Sequence, residues 1–405
     1  MKQFVKTVFF ASCVSAALSA HVSAQTAADG GGKQVCESIV WDGGDPSDEA
    51  SRYSWRRSIR SDNFMLLWDR GFGDDPRTAP ALAGRDMTCD PQHVLDKCEE
   101  FYAYYRDTLK FLDEGSNADR YLMMCMLNYV LDDTAYGGSV GDAIGALWVT
   151  PARVRDEKLN CIAHELGHAF QFQLSIDSGS GFGGGSAYEM TSQWMLWQVN
   201  PDWIKDEEYH WHDFMRQTHL AFADPANMYH SPYVLEYWSS RYGKPVIGRL
   251  WRAAHHSPDM VEVYKRMQGM SQHRFCDEMF DACRHFVNWD FKRVWKETRP
   301  YANQYTCKMN PSEEGWYRVA PENCPENYGF NAVPLSVPQP GSAVEVEFLG
   351  EAGREGYNSV HPEKAGWRYG FVAVTREGKS VYGEMGNNTE GVVKYIAPKD
   401  VPLAH

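Results

Sequence analysis

The strongest chemical signal in the chain is the stretch His164-Glu165-Leu166-Gly167-His168. Two histidines four residues apart lie about one turn apart on the same face of a helix, so both imidazoles can reach one metal ion. Glu165 lies beside them and can reach a water molecule bound to that metal. The pattern therefore predicts a zinc site of the hydrolytic type, and it requires a helix at this position.

A hydrolytic zinc site has three protein ligands and one open position, so the chain must provide a third ligand. The extended metzincin pattern is excluded because Leu174 stands in place of its third histidine and Gln171 in place of its glycine. Glu189 follows His168 by 21 residues, across a glycine-rich loop and at the start of a second predicted helix. We expect Glu189 to be the third ligand. The alternative is a solvated glutamate that the helix dipole stabilises.

The elements that must position these side chains are mainly helices. Apolar residues recur at helical spacing over 156–177, and the glycine-rich run 178–186 that follows cannot continue a helix. This run is either a mobile lid or a simple connector. Further helices are predicted at 187–199, 207–222, 232–242 and 272–296.

Strands are predicted where short apolar runs are bounded by glycine or aspartate, at 63–68, 121–131 and 146–150. The run 146–150 precedes the ligand helix, and it is the sheet edge along which an extended peptide binds, a core strand, or both. After Cys324 the pattern changes to β-branched or alternating runs, at 344–349, 367–374 and 392–396. The predicted fold class is α+β: a mixed domain with a ligand-bearing helix and an edge strand, followed by a small antiparallel β domain.

These motifs resemble those of the gluzincin metallopeptidases, in which two histidines and a downstream glutamate hold zinc. The stretches AHELGHAFQFQL, YEMTSQWM and HSPYVLEYWSSRYG look most like a family of exported bacterial and fungal domains of unknown function that are regarded as zinc peptidases. Enhancin-like, mucin-directed peptidases are more distantly similar and share the HExGH form. The resemblance covers about residues 60–300, and its specific part is 164–194.

One departure from the gluzincin pattern concerns the residue four positions after the third ligand. Many gluzincins carry an aspartate there, which orients a zinc-bound histidine, whereas this chain has Gln193. A glutamine side chain can accept the same hydrogen bond, although more weakly than a carboxylate.

The resemblance implies a zincin-like fold and a peptidase mechanism. Zinc would lower the pKa of its bound water, and Glu165 would take the proton and pass it to the leaving amine. Gluzincins commonly stabilise the oxyanion with a tyrosine or histidine downstream of the third ligand, so Tyr233 and His230 in the segment 229–233 are the expected catalytic residues. In the alternative, Tyr233 is a buried helix aromatic and His230 a surface residue.

The first residues have the pattern of a secretory signal peptide. Lys2 and Lys6 are basic, residues 8–18 are apolar, and a small-residue cleavage site ends near Ala24. The apolar run is too short to span a bilayer, and a lipoprotein alternative through Cys13 lacks enough apolar sequence before the cysteine. We therefore expect export to the periplasm or the extracellular space.

Export permits disulfides among the nine cysteines that remain after Cys13 is removed. Closely spaced cysteines are the candidates for local bonds, namely Cys89/Cys98, Cys276/Cys283 and Cys307/Cys324. Because nine is odd, at least one thiol stays free or pairs with another chain.

Length, charge and hydropathy limit which partners and domains are expected. The chain has 405 residues, and its formal charge of −14 disfavours phosphate, so no nucleic-acid partner is expected. No later stretch is long enough for a transmembrane helix, so no stable membrane insertion is expected. The predicted segments are a signal peptide at 1–24, a flexible leader at 25–60, a zincin-like catalytic domain at 61–305 and a β-rich domain at 325–405.

Together these features predict an exported zinc-dependent peptidase that acts on a peptide or glycoprotein substrate. Two other classes stay open. The protein can be a glycopeptidase whose C-terminal β domain holds glycan, or a catalytically inactive zincin-fold binding module.

Overall fold

The computed structural model describes the following residues: 32–37, 39, 41, 43–312, 315–357, 361–399 and 403. The signal peptide expected at 1–24 lies outside the described residues. The chain divides into Met1–Gly32, of which only Gly32 is described, and Lys33–His405, which contains every element given below.

The segment expected to be a flexible leader, 25–60, makes ordered contacts from Lys33 onward. Gln34 forms a parallel bridge with Tyr121, and Tyr53 is buried in the core. The segment is rich in glycine, serine and aspartate, which is why its sequence predicts flexibility. The residues that pack on the core are too few to change that composition.

A mixed five-stranded sheet lies beneath the predicted site. Its strands are β1 (Ser58–Arg60), β2 (Phe64–Trp68), β3 (Met123–Leu127), β4 (Ala135–Val140) and β5 (Ile144–Val149). They lie in the order β1-β2-β3-β5-β4, in which β2, β3 and β5 are parallel and the two outer strands are antiparallel to their neighbours. Every residue of β2 and β3 is buried, as expected for parallel strands covered on both faces.

Helices make up most of the remaining body. In chain order they are α1 (Pro91–Ala103), α2 (Asn160–Ser178), α3 (Gly185–Val199), α4 (Trp203–Asp206), α5 (Glu208–Arg216), α6 (Tyr233–Tyr242), α7 (Val246–Arg252), α8 (Met260–Gln268), α9 (Gln272–Asn288) and α10 (Trp295–Thr298). The helix predicted at 156–177 is α2, which packs against β4 and β5 on one side and against α3 on another. The helices predicted at 187–199 and 232–242 are α3 and α6.

Two predicted helices end earlier than the sequence pattern indicated. The helix predicted at 272–296 ends at Asn288, because Trp289 takes a left-handed conformation with φ 50°. The helix predicted at 207–222 ends at Arg216, and a turn-rich segment follows. There the Asn227 side-chain amide donates to the carbonyl oxygens of Gln217 and Ala221 at 3.3 and 3.2 Å, which holds the chain in turns.

The sheet edge beside the ligand helix is β4, where no strand is predicted from the sequence pattern. The run predicted at 146–150 is a core strand, because β5 lies between β3 and β4. The prediction that this run is an edge strand was therefore wrong. Gly137 and Gly138 interrupt any β-branched pattern in β4, and a Cβ on Gly137 would lie 2.0 Å from the Glu165 backbone oxygen. Glycine thus lets the edge strand pack directly on α2.

The glycine-rich loop between α2 and α3 is a packed connector. Phe182 is buried, and the Ser180 hydroxyl donates to the Arg252 carbonyl oxygen at 2.8 Å. A Cβ on Gly183 would lie 2.4 Å from the His256 carbonyl oxygen, so the loop backbone rests on the segment after α7. These contacts support the connector and not the mobile lid.

The C-terminal part consists of short antiparallel ribbons. Its strands are β6 (Met309–Pro311), β7 (Tyr317–Val319), β8 (Ala343–Leu349), β9 (Tyr369–Val374), β10 (Ser380–Gly386) and β11 (Glu390–Ile396). They pair as β6-β7, β9-β10 and β8-β11, and the last two ribbons enclose a small core around Phe371 and Tyr395. The mixed sheet, the helices and these antiparallel ribbons confirm the α+β class.

Among the described residues, eight cysteines carry free thiols: Cys89, Cys98, Cys125, Cys161, Cys276, Cys283, Cys307 and Cys324. Cys276 and Cys283 both lie on α9 and are separated along its axis by about 10 Å, which is too far for a disulfide, so that predicted pair is wrong. The Cys98 thiol hydrogen-bonds the Cys125 thiol of β3. No helix within the described ranges combines the length and the apolar character needed to cross a bilayer.

Candidate metal centre

Two closely packed helices, α2 and α3, hold the three expected ligands. A Cβ on Gly167 would lie 2.5 Å from the Ser192 hydroxyl oxygen and 3.2 Å from its Cα, so only glycine allows this approach. The Ser192 hydroxyl also donates to the His164 carbonyl oxygen, which ties the two helices at the level of the site. The close contact between α2 and α3 therefore requires glycine at position 167 of the HELGH stretch.

The three expected ligand atoms form a small triangle. His164 Nε2 lies 3.1 Å from His168 Nε2 and 3.2 Å from Glu189 Oε2. His168 Nε2 lies 3.3 Å from the same Glu189 oxygen. Bonds of about 2.0–2.1 Å to a tetrahedral zinc ion place neighbouring ligand atoms roughly 3.3 Å apart. The spacing and the mixed nitrogen and oxygen donors both fit zinc.

The electrostatics of the triangle favour a cation. Burial opposes the charged form of Glu189, but hydrogen bonds from His164 and His168 outweigh burial and hold the pKa of Glu189 well below its usual range. Burial also opposes the protonated form of His164, yet its hydrogen bond with Glu189 and the nearby carboxylates raise its pKa. The site thus contains an ionised carboxylate that positive charge stabilises.

Glu165 lies next to the triangle but outside it. It is 8% exposed, and its charge acts on the pKa of His164 and of Tyr229, which places the carboxylate near both side chains. A buried carboxylate at this position can act as a base toward a water molecule held at the ligands.

Each histidine of the triangle has a glutamine behind it. Gln171 Oε1 lies 3.0 Å from His168 Nδ1, and the Gln171 amide nitrogen donates to the Tyr188 carbonyl oxygen at 2.9 Å. Gln193 Oε1 lies 3.0 Å from His164 Nδ1. The glutamine thus occupies the place beside this histidine that an aspartate has in many gluzincins. Sequence reasoning used Gln171 only to exclude metzincins. Gln171 follows His168 by three residues and so lies on the same helix face. This spacing alone could have predicted that Gln171 contacts the His168 ring.

Tyr233, one of the two expected catalytic residues, lies in the core and away from the triangle. Its side chain is 0% exposed and its ring lies 4.6 Å from the Trp289 ring and 4.7 Å from the Phe214 ring, between centroids. Its hydroxyl has no hydrogen-bond partner among the described residues. Of the two alternatives, the buried helix aromatic is the one that the structure contains.

His230, the other expected catalytic residue, does not contact the ligands either. Its Nδ1 lies 2.7 Å from His210 Nδ1, and His210 Nε2 lies 3.1 Å from the Gln193 amide nitrogen. Burial lowers the pKa of His230 to about 4, and neighbouring His210 acts in the same direction. His230 is therefore neutral at neutral pH and reaches the site only through two other side chains.

Tyr229 is the residue of this segment that lies at the site. Its ring lies over the His164 ring, with centroids 6.2 Å apart and planes inclined by 26°, and it is 36% exposed. Burial, followed by the charge of Glu189 and a hydrogen bond with it, raises the pKa of the Tyr229 phenol. The phenol therefore stays protonated and can donate a hydrogen bond. Of the two tyrosines in the segment 229–233, the structure thus places Tyr229 at the triangle and Tyr233 in the core.

The edge of β4 completes the surroundings of the triangle. A Cβ on Gly137 would also lie 2.6 Å from His168 Cβ, so this strand runs directly beside the ligand helix. Among the described residues β4 pairs only with β5, which leaves its other edge without a strand partner. Tyr136 on this strand stacks on Trp148 at 4.7 Å between ring centroids.

Comparison with known proteins identifies the family of the chain. The chain belongs to a family of unknown function (DUF6055), whose match spans residues 28–402. No curated protein matches the chain significantly. The match agrees with the resemblance to domains of unknown function and assigns neither a metal nor an activity.

Proposed function

We propose that this protein is a zinc-dependent peptidase that hydrolyses a peptide or glycoprotein substrate. One observation carries the proposal: His164 Nε2, His168 Nε2 and Glu189 Oε2 form a triangle with sides of 3.1, 3.2 and 3.3 Å, and the buried Glu165 carboxylate lies beside it. We place the substrate outside the cytosol because the sequence predicts a signal peptide.

Zinc, held by His164, His168 and Glu189, would supply Lewis acidity toward a carbonyl oxygen and a water molecule. The proton transfers would be carried out by residues of the chain. Glu165 accepts a proton from the attacking water and delivers it to the nitrogen of the leaving amine. Its burial keeps bulk water from competing for the proton.

Tyr229 is the residue that we propose as the second donor to the oxyanion. Its protonated phenol lies over His164, beside the triangle, whereas the Tyr233 hydroxyl is enclosed by core aromatics. A donor fixed before the reaction stabilises the charge that develops on the carbonyl oxygen without a reorganisation cost. This assignment replaces Tyr233 and His230 in that role.

The free edge of β4 supports an extended peptide as the substrate. Backbone groups of an edge strand can pair with a peptide in the manner of an added strand. Gly137 brings this edge within contact of His168 and of the Glu165 backbone, so a peptide paired there would pass across the ligand triangle.

The experiment is zinc analysis of the purified protein, of His164→Ala and of Glu189→Ala, with His212→Ala as the matched control. His212 lies on α5 and its side chain is 54% exposed. We expect about one zinc ion per chain in the wild type and control, and a loss in both ligand variants. Zinc retained in full by Glu189→Ala would remove the third ligand from the proposal.

The two alternative classes give different results in hydrolysis assays. Cleavage of mucin-type glycopeptides but not of matched plain peptides would identify a glycopeptidase. A zinc-loaded protein that cleaves neither, and whose ligand binding is unchanged by Glu165→Gln, would be an inactive binding module.

A further inference from the structure

Two cysteine side chains from different elements meet in the core of the main body. Cys98 lies on α1 and Cys125 lies at the middle of β3, the central strand of the five-stranded sheet, and both are fully buried. Their thiols form a hydrogen bond. Within the sheet, Cys125 is flanked by Leu66 and Leu147, whose side chains offer no polar group. The partner of the Cys125 thiol therefore comes from the helix layer.

Cys89, the partner that sequence spacing predicts for Cys98, has different surroundings. It precedes α1 and lines an open surface pocket together with Arg155. Burial raises the pKa of Cys89 to about 12, with Asp90 and Cys125 acting in the same direction, which places the thiols of Cys89 and Cys125 near each other. The hydrogen bond of Cys125, however, is with Cys98. Of the two cysteines near Cys125, Cys98 is thus the one in direct contact.

We propose that Cys98 and Cys125 form a disulfide in the exported protein, which would join α1 to the central strand of the sheet. The two cysteines are 27 residues apart in the chain. Their thiols lose two protons and two electrons, which reduce the disulfide of an exported thiol–disulfide oxidoreductase to a dithiol. One S–S bond thus forms in this chain and one breaks in the carrier. This inference rests on the predicted export and not on the proposed zinc site.

The burial of both sulfur atoms determines when the bond forms. Thiol–disulfide exchange requires a thiolate that the carrier can reach. In the folded protein the hydrogen bond with Cys125, together with burial, raises the pKa of Cys98 well above its usual range, and neither sulfur is exposed. Exchange must therefore take place before α1 closes over β3. Once the chain has folded, the same burial shields the bond from reductants.

Peptide mapping of the exported protein tests the bond directly. The protein is produced with an export signal of the expression host in place of residues 1–24, so that the result does not depend on the predicted signal peptide. It is denatured with an alkylating agent and without reductant, digested with trypsin and measured by mass spectrometry. Cys89, Cys98 and Cys125 fall in the separate tryptic peptides 86–97, 98–106 and 121–153. We expect 98–106 linked to 121–153.

Two results of this mapping would overturn the proposal. One is the recovery of 98–106 and 121–153 as separate alkylated peptides, and the other is a bond from either of them to another peptide, such as 86–97. The expected linkage should also resist dithiothreitol in the folded protein and be cleaved once urea is added. Equal rates of cleavage with and without urea would contradict a bond enclosed in the core.

Thermal unfolding measures what the bond contributes. A disulfide that closes a loop of this length restricts the unfolded chain, so the exported protein should unfold roughly 5 °C above the same protein made in a reducing cytosol. This difference should disappear in Cys98→Ala. It should persist in the matched control Cys283→Ala, which removes a buried thiol from α9. An equal difference in wild type and Cys98→Ala would assign the stabilisation to another bond and contradict the proposal.

Discussion

At the scale of single residues, the site combines two carboxylates with neutral amide supports. Gln171 and Gln193 each place an amide oxygen near Nδ1 of one histidine and each donate to a backbone carbonyl oxygen. Because amides carry no charge, the negative charge at the triangle comes from Glu165 and Glu189. The glutamines therefore orient the histidines without adding to the charge that a metal must neutralise.

Substitution of Glu165 separates metal binding from catalysis. Glu165→Gln should retain zinc, because Glu165 lies outside the triangle, while hydrolysis falls about 10²–10⁴-fold with the loss of the base. Zinc content and peptide turnover measured on the same preparation check this. Unchanged turnover would exclude Glu165 as the base.

Substitution of the two tyrosines distinguishes the site from the core. Tyr229→Phe should lower kcat/KM about 10²–10³-fold with zinc content unchanged, because it removes an oxyanion donor. Tyr233→Phe is the matched control. It removes a buried hydroxyl that has no hydrogen-bond partner among the described residues, and it should leave activity unchanged. The reverse result would return the role to Tyr233.

His230 gives stability a dependence on pH. Its pKa falls from 6.5 to about 4 on folding, so between these values the unfolded chain binds a proton that the folded protein does not. The contribution of His230 to the free energy of unfolding is therefore fully present above pH 6.5. It is lost as the pH falls toward 4, by up to about 1.4 kcal/mol per pH unit.

Urea midpoints measured between pH 4 and 7.5 test this dependence. His230→Asn should flatten the profile in that window, whereas His212→Asn on the exposed face of α5 should leave it unchanged. Equal slopes in wild type and His230→Asn would show that other groups cause the dependence.

At the scale of elements, the site depends on how closely α2 approaches α3. Glycine at position 167 permits this approach, and the glycines of β4 permit the approach of the sheet edge on the opposite side. The metal ligands are thus held between three elements whose contact surfaces contain small residues.

Gly167→Ala tests the helix contact. The added methyl group would lie 2.5 Å from the Ser192 hydroxyl and 3.2 Å from its Cα, so the helices must move apart. We expect a loss of about 1–3 kcal/mol in the free energy of unfolding and weaker zinc binding. Gly185→Ala is the control, because no atom lies within 4 Å of its added methyl group. It should be neutral or stabilising by up to about 1 kcal/mol, since alanine favours a helix.

At the scale of the whole molecule, the structure does not depend on a metal for its core. The main core extends over the sheet, the helices and part of the leader segment, and the C-terminal ribbons have a second, small core. A zinc ion at the triangle would join two helices that already pack together. Its role would be chemical more than structural.

Removal of zinc should therefore lower stability without unfolding the protein. Zinc at one hundred times its dissociation constant stabilises the folded state by about 2.7 kcal/mol, so a chelator should lower the thermal midpoint. The far-ultraviolet circular dichroism at 25 °C should not change. Loss of the helical signal on chelation would assign the metal a structural role.

Export and disulfide formation remain predictions at this scale. The predicted pair Cys307/Cys324 stays a prediction: Lys308 N–H donates to Asn323 Oδ1 at 3.1 Å, so residues next to the two cysteines are in contact, but both thiols are free in this structure. Cys98, predicted to pair with Cys89, hydrogen-bonds Cys125 instead.

The sequence by itself determined the features that short-range spacing encodes. The HELGH stretch, the periodicity of α2 and the position of Glu189 on the next helix predicted three ligands, and the structure brings these side chains together. Local spacing suffices because helix geometry fixes the relative positions of residues within a few turns.

Only the tertiary structure decided which residues from distant segments surround the triangle. Tyr229 and Tyr233 are four residues apart, yet one precedes α6 and covers the site while the other begins α6 and enters the core. The edge position of β4 and the contact of Cys98 with Cys125 likewise join segments far apart in the chain. Such contacts arise from the packing of whole elements, which no local pattern of residues specifies.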